Sequence, residues 1–216
     1  MAPLQFGIVL YDFQLLDVAA PIDLLSSVSK KMLTTLERTG HLPKGTSNEG
    51  LDIEFHYLAP TLDSVTLMTG FRLQPTTTFE DCPKLDAILL GGPGPDFWDN
   101  IPESYVKFFH QKAEEVEYFF TTCTGGIVAG KAGLLRGKRA TTNHEFMDFL
   151  PAQLPETKWE KTQWVIDGKF WTAAGALAGL DMFDHWLRGK TTDTVLTMAH
   201  RGLDYQPRNV NGNLIG

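Results

Sequence analysis

The chain has 216 residues, of which 43% are hydrophobic and 21% charged, and these proportions predict one globular domain over residues 1–216. A net charge of −7 and a pI near 5.3 leave no excess of basic residues, so we expect neither a nucleic acid nor an anionic membrane as a partner. No apolar run reaches the roughly 18 residues of a membrane span, and the first residues lack the features of a signal peptide.

The two cysteines, Cys82 and Cys123, cannot form a disulfide framework or a structural zinc site. We therefore expect free thiols in a reducing compartment, which favours a cytoplasmic location. We also expect no metal and no other cofactor, with a small molecule as the partner.

Short apolar runs alternate with helical patterns, which predicts a mostly parallel sheet with helices on both faces. The predicted strands cover residues 6–10, 53–59, 85–90, 118–122 and 139–142. Hairpins are predicted at 65–75, turning at Thr69-Gly70, and at 164–172, turning at Asp167-Gly168. Predicted helices run from about Pro21 to Leu36, from Glu103 to Val116, from just after Cys123 to near Gly133, and after Gly175 to Leu187. Residues 39–50 are predicted as a surface loop and residues 204–209 as an irregular tail.

Sites in such sheets form beyond the carboxyl ends of the strands. The loops after Leu10, Leu90 and Thr122 share that position, and each carries residues that suit a reactive site. Their shared position is stronger support for a site than any one of their motifs.

Cys123 is the predicted nucleophile. An apolar strand leads to it, and Thr124, Gly125 and Gly126 lead from it into a helical pattern, as in a nucleophile elbow. Glycines allow a close helix approach, and the N–H groups and dipole of a helix start favour a thiolate. Cys82 precedes a strand without such a context, so we interpret it as structural.

Gly91 and Gly92 end a buried strand in a turn with Pro93 and Gly94. We interpret this turn as half of an oxyanion hole, in which the N–H groups of Gly92 and Thr124 converge on a substrate attacked by Cys123. The competing interpretation is ordinary turn chemistry. A phosphate loop is excluded, because no Gly-Lys-Ser/Thr follows.

Asp17 lies in an apolar stretch just before the first predicted helix. Burial beside a thiolate would raise its pKa and keep it protonated for proton donation. The competing interpretation is a carboxylate that satisfies helix N–H groups.

Asn143 and His144 follow the strand predicted at 139–142, again at a carboxyl end. A Cys–His pair could activate the thiol, but the spacing does not place His144 near Cys123, so packing is the stronger interpretation. We keep both residues as candidates for substrate binding.

With these motifs the chain resembles the ThiJ/PfpI superfamily, which is related to class I glutamine amidotransferases. The resemblance covers nearly the whole chain and is carried by residues 6–10, 13–21, 85–94, 122–126, 133–142 and 172–181. It implies a flavodoxin-like three-layer α/β sandwich with a nucleophile elbow. It also implies a homodimer with active sites close to the interface.

Within the superfamily the chain is most similar to the isonitrile hydratase branch, which carries Asp at the position of Asp17 and Thr after the cysteine. This similarity implies attack of Cys123 on an isonitrile carbon, with Asp17 moving protons. Hydrolysis of the resulting thioimidate would give an N-substituted formamide. Thr124 would add its N–H, and its hydroxyl, beside the sulfur.

Two departures bear on the reaction. Peptidase-like members have His where this chain has Thr124, which argues against a protease. Bacterial isonitrile hydratases often carry Ser-His-Trp where this chain has Thr142-Asn143-His144, so the substrate is left open.

Three alternatives stay open. A glutathione-independent glyoxalase would convert methylglyoxal to lactate, although that chemistry usually pairs a Glu and a His with the cysteine. A redox-sensing protein would instead oxidise Cys123 to a sulfinate. The ligand-sensing half of a regulator is the weakest alternative. Such regulators carry a helix-turn-helix domain after this fold, and we expect no room for one before Gly216.

Overall fold

A computed structural model of the protein, described for residues 2–215, contains one central sheet and two small two-stranded sheets. Within that range the strands are β1 (Leu4–Val9), β2 (Ile53–Ala59), β3 (Val65–Thr66), β4 (Arg72–Leu73), β5 (Thr77–Thr78), β6 (Ala87–Leu90), β7 (Tyr118–Thr121), β8 (Arg139–Ala140), β9 (Lys158–Trp159), β10 (Trp164–Asp167) and β11 (Phe170–Ala173). The α-helices are α1 (Leu16–Ser27), α2 (Lys30–Arg38), α3 (Pro95–Trp98), α4 (Glu103–Glu115), α5 (Gly125–Lys131), α6 (Leu150–Gln153), α7 (Ala176–Leu187) and α8 (Asp193–Gly202). Short 3₁₀ helices cover Thr46–Glu49 and His144–Phe146.

The central sheet has the order β10-β11-β7-β6-β1-β2-β5. Its neighbours are parallel except for β10 and β11, which form the antiparallel hairpin expected at Asp167-Gly168. The chain passes from β1 to β2 and β5 on one side and returns to β6 on the other. Because the strand order reverses between β1 and β6, a crevice opens beyond their carboxyl ends.

Helices cover both faces of this sheet, as predicted. Phe119 and Phe120 point to opposite faces of β7, yet both side chains are fully buried. On one face, the Phe120 ring lies 4.4 Å from that of Phe183 in α7, which in turn packs against α1. The result is a flavodoxin-like α/β fold whose central strand β6 is apolar and buried along its whole length.

The helix predicted from Pro21 to Leu36 is wrong, because the chain forms two helices there. Ser29 is extended (φ −72°, ψ 144°), and its hydroxyl accepts the N–H of Met32 at 3.1 Å. A serine in that position caps a new helix more favourably than it continues the old one. The first helix also begins earlier than predicted, at Leu16, so Pro21 lies inside it.

Other differences are smaller. The strand predicted at 139–142 is only Arg139–Ala140, and it pairs with β9, which the sequence pattern does not reveal. The loop at 39–50 contains a 3₁₀ turn, and α8 precedes the tail. No helix within residues 2–215 is both long enough and apolar enough to cross a membrane.

Candidate active site

The loops after β1, β6 and β7 meet at the crevice, where they bring together Asp17, Gly92 and Cys123. The N–H of Gly92 donates to Asp17 Oδ2 at 3.0 Å. A Cβ atom added to Gly92 would lie 2.6 Å from Asp17 Oδ2 and 2.8 Å from the backbone nitrogen of Thr124. This position therefore requires glycine, because backbone and carboxyl occupy the space of any side chain.

Cys123 occupies a nucleophile elbow, as predicted. Its φ of 53° is left-handed, and within residues 2–215 Asp204 is the only other non-glycine residue with positive φ. A Cβ at Gly125 would lie 2.4 Å from the carbonyl oxygen of Leu90, and one at Gly126 would lie 2.7 Å from that of Thr141. The two glycines thus let α5 start against the sheet, which turns the cysteine out of the strand direction.

Asp17 lies in the first turn of α1, and its side chain is fully buried. Pro21 has no N–H to bond the carbonyl of Asp17 four residues earlier, and the hydroxyl of Thr122 donates to that carbonyl at 3.0 Å. Pro21 thus leaves the Asp17 carbonyl free to accept this bond, which links the Asp17 backbone to Thr122, the residue before Cys123. The second carboxyl oxygen, Oδ1, has no hydrogen-bond partner among residues 2–215.

Burial raises the pKa of Asp17 from its ordinary 3.8 to about 7, although the Gly92 N–H and the Cys123 thiol each favour the carboxylate. A carboxyl group with this pKa is divided between its two protonation states at neutral pH. It can therefore accept and donate a proton in one catalytic cycle.

The thiol of Cys123 is 6% exposed, and the side-chain amide of Asn143 donates to its sulfur at 3.2 Å. Burial raises the pKa of Cys123, and the negative charge of Asp17 raises it further. Asn143 and the N–H of Thr124 lower that pKa, but burial and the Asp17 side chain outweigh them. The sequence-based expectation of a lowered pKa is therefore wrong, because it considered the helix start and not the buried carboxyl beside the thiol.

The oxyanion hole predicted from Gly92 and Thr124 is occupied in part by the protein itself. The Gly92 N–H bonds Asp17, whereas the Thr124 N–H faces the sulfur. The Thr124 hydroxyl donates to the carbonyl of Pro93 at 2.7 Å. Gly91 acts through its backbone, since its carbonyl accepts the Tyr11 hydroxyl at 2.7 Å.

Of the two candidates after β8, Asn143 lies at the thiol and His144 does not. Nε2 of His144 is 2.9 Å from the carbonyl oxygen of Thr162, so the imidazole is held away from Cys123. The hydroxyl of Thr142 supports the elbow by donating to the Cys123 carbonyl at 2.8 Å. Within residues 2–215, no group of three His, Cys, Asp or Glu side chains could hold a metal ion.

A cavity of about 260 Å³ opens beside Asn143. Its lining residues are Asn143, His144, Gln163, Ala174, Gly175, Leu177, Ala178 and Arg208. Sequence reasoning missed Arg208, which lies in the segment predicted as an irregular tail. No local pattern marks it, because its partner is Asp181, 27 positions earlier on α7.

A cysteine elbow at the switch point of a mostly parallel sheet, with a buried carboxyl beside it, defines the class of this α/β protein. The sequence profile of the DJ-1/PfpI family matches residues 8–188, and the chain belongs to this family.

The chain is 38% identical over 184 residues to the isonitrile hydratase of Pseudomonas putida, which covers 82% of this chain and 68% of that protein. It is 23% identical over 131 residues to the HTH-type transcriptional regulator GbdR of Pseudomonas aeruginosa, covering 61% of this chain and 35% of the regulator. A THiJ/PfpI family protein from Pseudomonas syringae superposes with a TM-score of 0.76 at 23% identity, over 97% of this chain and 78% of that one. Both an enzyme and a regulator are therefore among the relatives.

Proposed function

We propose that the protein is a hydratase that converts an isonitrile to an N-substituted formamide, with Cys123 as the nucleophile. One observation carries this proposal: the fully buried Asp17, with a pKa near 7 and one unpartnered oxygen, lies beside the thiol. The 38% identity to an isonitrile hydratase supports the same reaction.

In the first half-reaction, the sulfur of Cys123 attacks the terminal carbon of the isonitrile while the carboxylate of Asp17 takes the thiol proton. Asp17 then returns that proton to the same carbon. The product is a thioimidate in which the carbon is bonded to sulfur, to hydrogen and, by a double bond, to nitrogen. One proton has moved from sulfur to carbon, so Asp17 ends this step ionised.

In the second half-reaction, Asp17 takes a proton from water as the water oxygen attacks the thioimidate carbon, and it passes that proton to the nitrogen. The tetrahedral carbon then bears a hydroxyl, the protonated nitrogen and the sulfur. Asp17 moves the hydroxyl proton to the sulfur as the C–S bond breaks, which releases the formamide and restores the thiol. The overall change is the addition of one water molecule to the isonitrile. Asn143 and the Thr124 N–H stabilise negative charge on sulfur at each end of this sequence.

The position of His144 disfavours the glyoxalase alternative. That chemistry usually adds a histidine to the cysteine and carboxylate, and here the imidazole bonds the Thr162 carbonyl instead. A redox-sensing role and a ligand-sensing role each predict a protein that does not turn over an isonitrile.

The deciding experiment is steady-state turnover of an aryl isonitrile, with methylglyoxal tested in parallel, by the wild type, Cys123→Ala and Cys82→Ala. We expect formamide from the wild type and from Cys82→Ala, and none from Cys123→Ala. Cys82 is the matched control because its sulfur bonds the Pro83 carbonyl at 3.3 Å, away from the site. Lactate without formamide, or formamide from Cys123→Ala, would overturn the proposal.

A homodimer and a cytoplasmic location are part of the same proposal. Leu16 and Leu177 support the dimer, because they are 47% and 54% exposed at the starts of α1 and α7, next to the site. Sedimentation velocity at micromolar concentration checks the dimer, and cell fractionation checks the location.

A further inference from the structure

The cavity beside Asn143, whose amide donates to the Cys123 sulfur, contains one permanently charged side chain among its described lining residues, that of Arg208. Its other lining residues are neutral or weakly basic and make no ion pair with it. We infer that the substrate carries a carboxylate group and that Arg208 binds this group while Cys123 reacts with the isonitrile carbon. The inference rests on the proposed function and adds a substrate class to it, an isocyano-carboxylic acid.

The guanidinium of Arg208 is held firmly along one edge. Its Nε and Nη2 atoms are each 2.7 Å from Oδ2 of Asp181, and its backbone N–H donates to Oδ1 at 2.9 Å. The Asp181 side chain is fully buried, whereas that of Arg208 is 31% exposed. The plane of the guanidinium is thus fixed by the protein.

This anchoring leaves donors on the opposite edge. An arginine has five N–H donors, and Asp181 occupies those on the edge formed by Nε and Nη2. Nη1 donates to no protein group among residues 2–215. A second carboxylate can bind at this edge in the planar geometry that guanidinium groups favour.

The size of the cavity fits a short substrate. Its volume of about 260 Å³ is below the 300–1,000 Å³ typical of pockets for drug-sized ligands. Asn143, which contacts the sulfur, and Arg208 line the same small space. The inference places the isonitrile end of a short acid, such as isocyanoacetate, at the sulfur beside Asn143 and its carboxylate at Arg208.

Arg188, which follows the last residue of α7, provides a matched control for Arg208. It is anchored as Arg208 is, with Nε 3.0 Å and Nη2 2.9 Å from Oδ2 of the buried Asp184. Arg188 lines a separate cavity of about 520 Å³, which Arg208 also borders, but it does not line the cavity at Asn143. A carboxylate bound in the larger cavity would depend on both arginines, and one bound at the thiol would depend on Arg208 alone.

The test compares isocyanoacetate with its neutral analogue 2-isocyanoacetamide, using the wild type, Arg208→Lys and Arg188→Lys. We expect the wild type to favour the anion about tenfold in kcat/KM, mainly through KM, as a charge-assisted hydrogen bond predicts. Arg208→Lys keeps a cation for Asp181 and should lose this preference, whereas Arg188→Lys should keep it. Equal rates with both substrates in the wild type, or equal losses in the two variants, would overturn the inference.

A binding measurement keeps the inference separate from the proposed reaction. Calorimetry with the two products, N-formylglycine and N-formylglycinamide, should show tighter binding of the acid than of the amide in the wild type and no such difference in Arg208→Lys. If neither isonitrile is hydrated but the acid still binds in an Arg208-dependent way, the reaction is wrong and the carboxylate site stands. If the amide is hydrated without any preference for the acid, the reaction stands and the carboxylate site is wrong.

Discussion

Asp17 and Asp181 are both fully buried carboxyl groups at helices that pack on the central sheet, yet their surroundings are opposite. Asp181 accepts hydrogen bonds from the Tyr205 hydroxyl, from the Arg208 backbone and from the Arg208 guanidinium. Asp17 accepts a single backbone N–H, from Gly92, and one of its oxygens has no partner among residues 2–215.

The difference agrees with a structural role for Asp181 and with the proton-transfer role proposed for Asp17. Four donors from Tyr205 and Arg208 hold the Asp181 side chain and tie the tail of the chain to α7. At Asp17 burial dominates, which raises its pKa to about 7 and leaves its proton free to move. The unpartnered oxygen of Asp17 belongs to a titratable group beside a thiol, which is what distinguishes it from the unpartnered Thr121 hydroxyl.

Replacement of Asp17 should have the largest effect of the substitutions considered, and this effect is on turnover. Asp17→Asn keeps an acceptor for the Gly92 N–H but cannot transfer a proton, so we expect kcat/KM for an isonitrile to fall about a thousandfold. The wild-type pH profile should rise as the pair of Asp17 and Cys123 loses its first proton near pH 7, and fall as it loses the second at higher pH. An unchanged rate or an unchanged rise near pH 7 in the variant would remove Asp17 from the chemistry.

The same substitution should stabilise the protein at alkaline pH. The pKa of Asp17 is higher in the folded state than its ordinary 3.8, so folding favours the protonated form and wild-type stability falls as pH rises from about 4 to about 7. At about 1.4 kcal/mol for each pH unit, this loss is roughly 4 kcal/mol at most. Urea unfolding should therefore find Asp17→Asn more stable than wild type at pH 8 and equal to it at pH 4.

Asp181→Asn tests the structural role of Asp181. This change leaves Arg208 without its anion and should lower the free energy of unfolding by about 3 kcal/mol. The matched control is Glu156→Gln, since the pair of Glu156 with Arg136 has side chains 64% and 71% exposed and should contribute nothing measurable. Equal urea midpoints for the two variants would contradict the assignment of Asp181 to structure.

A smaller effect is expected at the sulfur. Asn143→Ala removes the amide that donates to Sγ, so the pKa of Cys123 should rise and alkylation by iodoacetamide at pH 7 should slow about tenfold. The neighbouring variant His144→Ala should alkylate at the wild-type rate, because its imidazole bonds Thr162. A slower reaction in both variants would point to a loss of loop structure and not of the amide.

The smallest effects on stability and turnover are expected at the adjacent residues Thr121 and Thr122. Thr122→Val removes the hydroxyl that bonds the Asp17 carbonyl, which should lower stability by about 1 kcal/mol and kcat several-fold. The Thr121 hydroxyl is buried without a partner among the described residues, so Thr121→Val should raise stability and leave turnover unchanged. Thermal unfolding and turnover of both variants together check this pair.

The sequence was sufficient for features that depend on neighbouring residues. The apolar run into Cys123 and the glycines after it predict the elbow, because local spacing alone determines whether a helix can start there. The alternation of strands and helices predicts that the loops carrying Asp17, Gly92 and Cys123 share one edge of a parallel sheet.

Features that depend on distant contacts were not predictable. Whether His144 or Asn143 faces the sulfur depends on a carbonyl at Thr162, 18 positions away. The sign of the change in the pKa of Cys123 depends on how deeply Asp17 is buried. The position of Arg208, in the tail, depends on Asp181 in α7. Ser29 is the exception, since its cap could have been recognised from its residue type.

The left-handed backbone at Cys123 also has a consequence for protein engineering. A side chain at φ 53° is strained relative to glycine, so a glycine at position 123 would relax the elbow by about 1 kcal/mol while removing the thiol. Directed evolution that selects for thermal stability alone would therefore accumulate variants that lack the proposed nucleophile. A screen for improved catalysts from this scaffold has to score turnover and melting temperature in the same round.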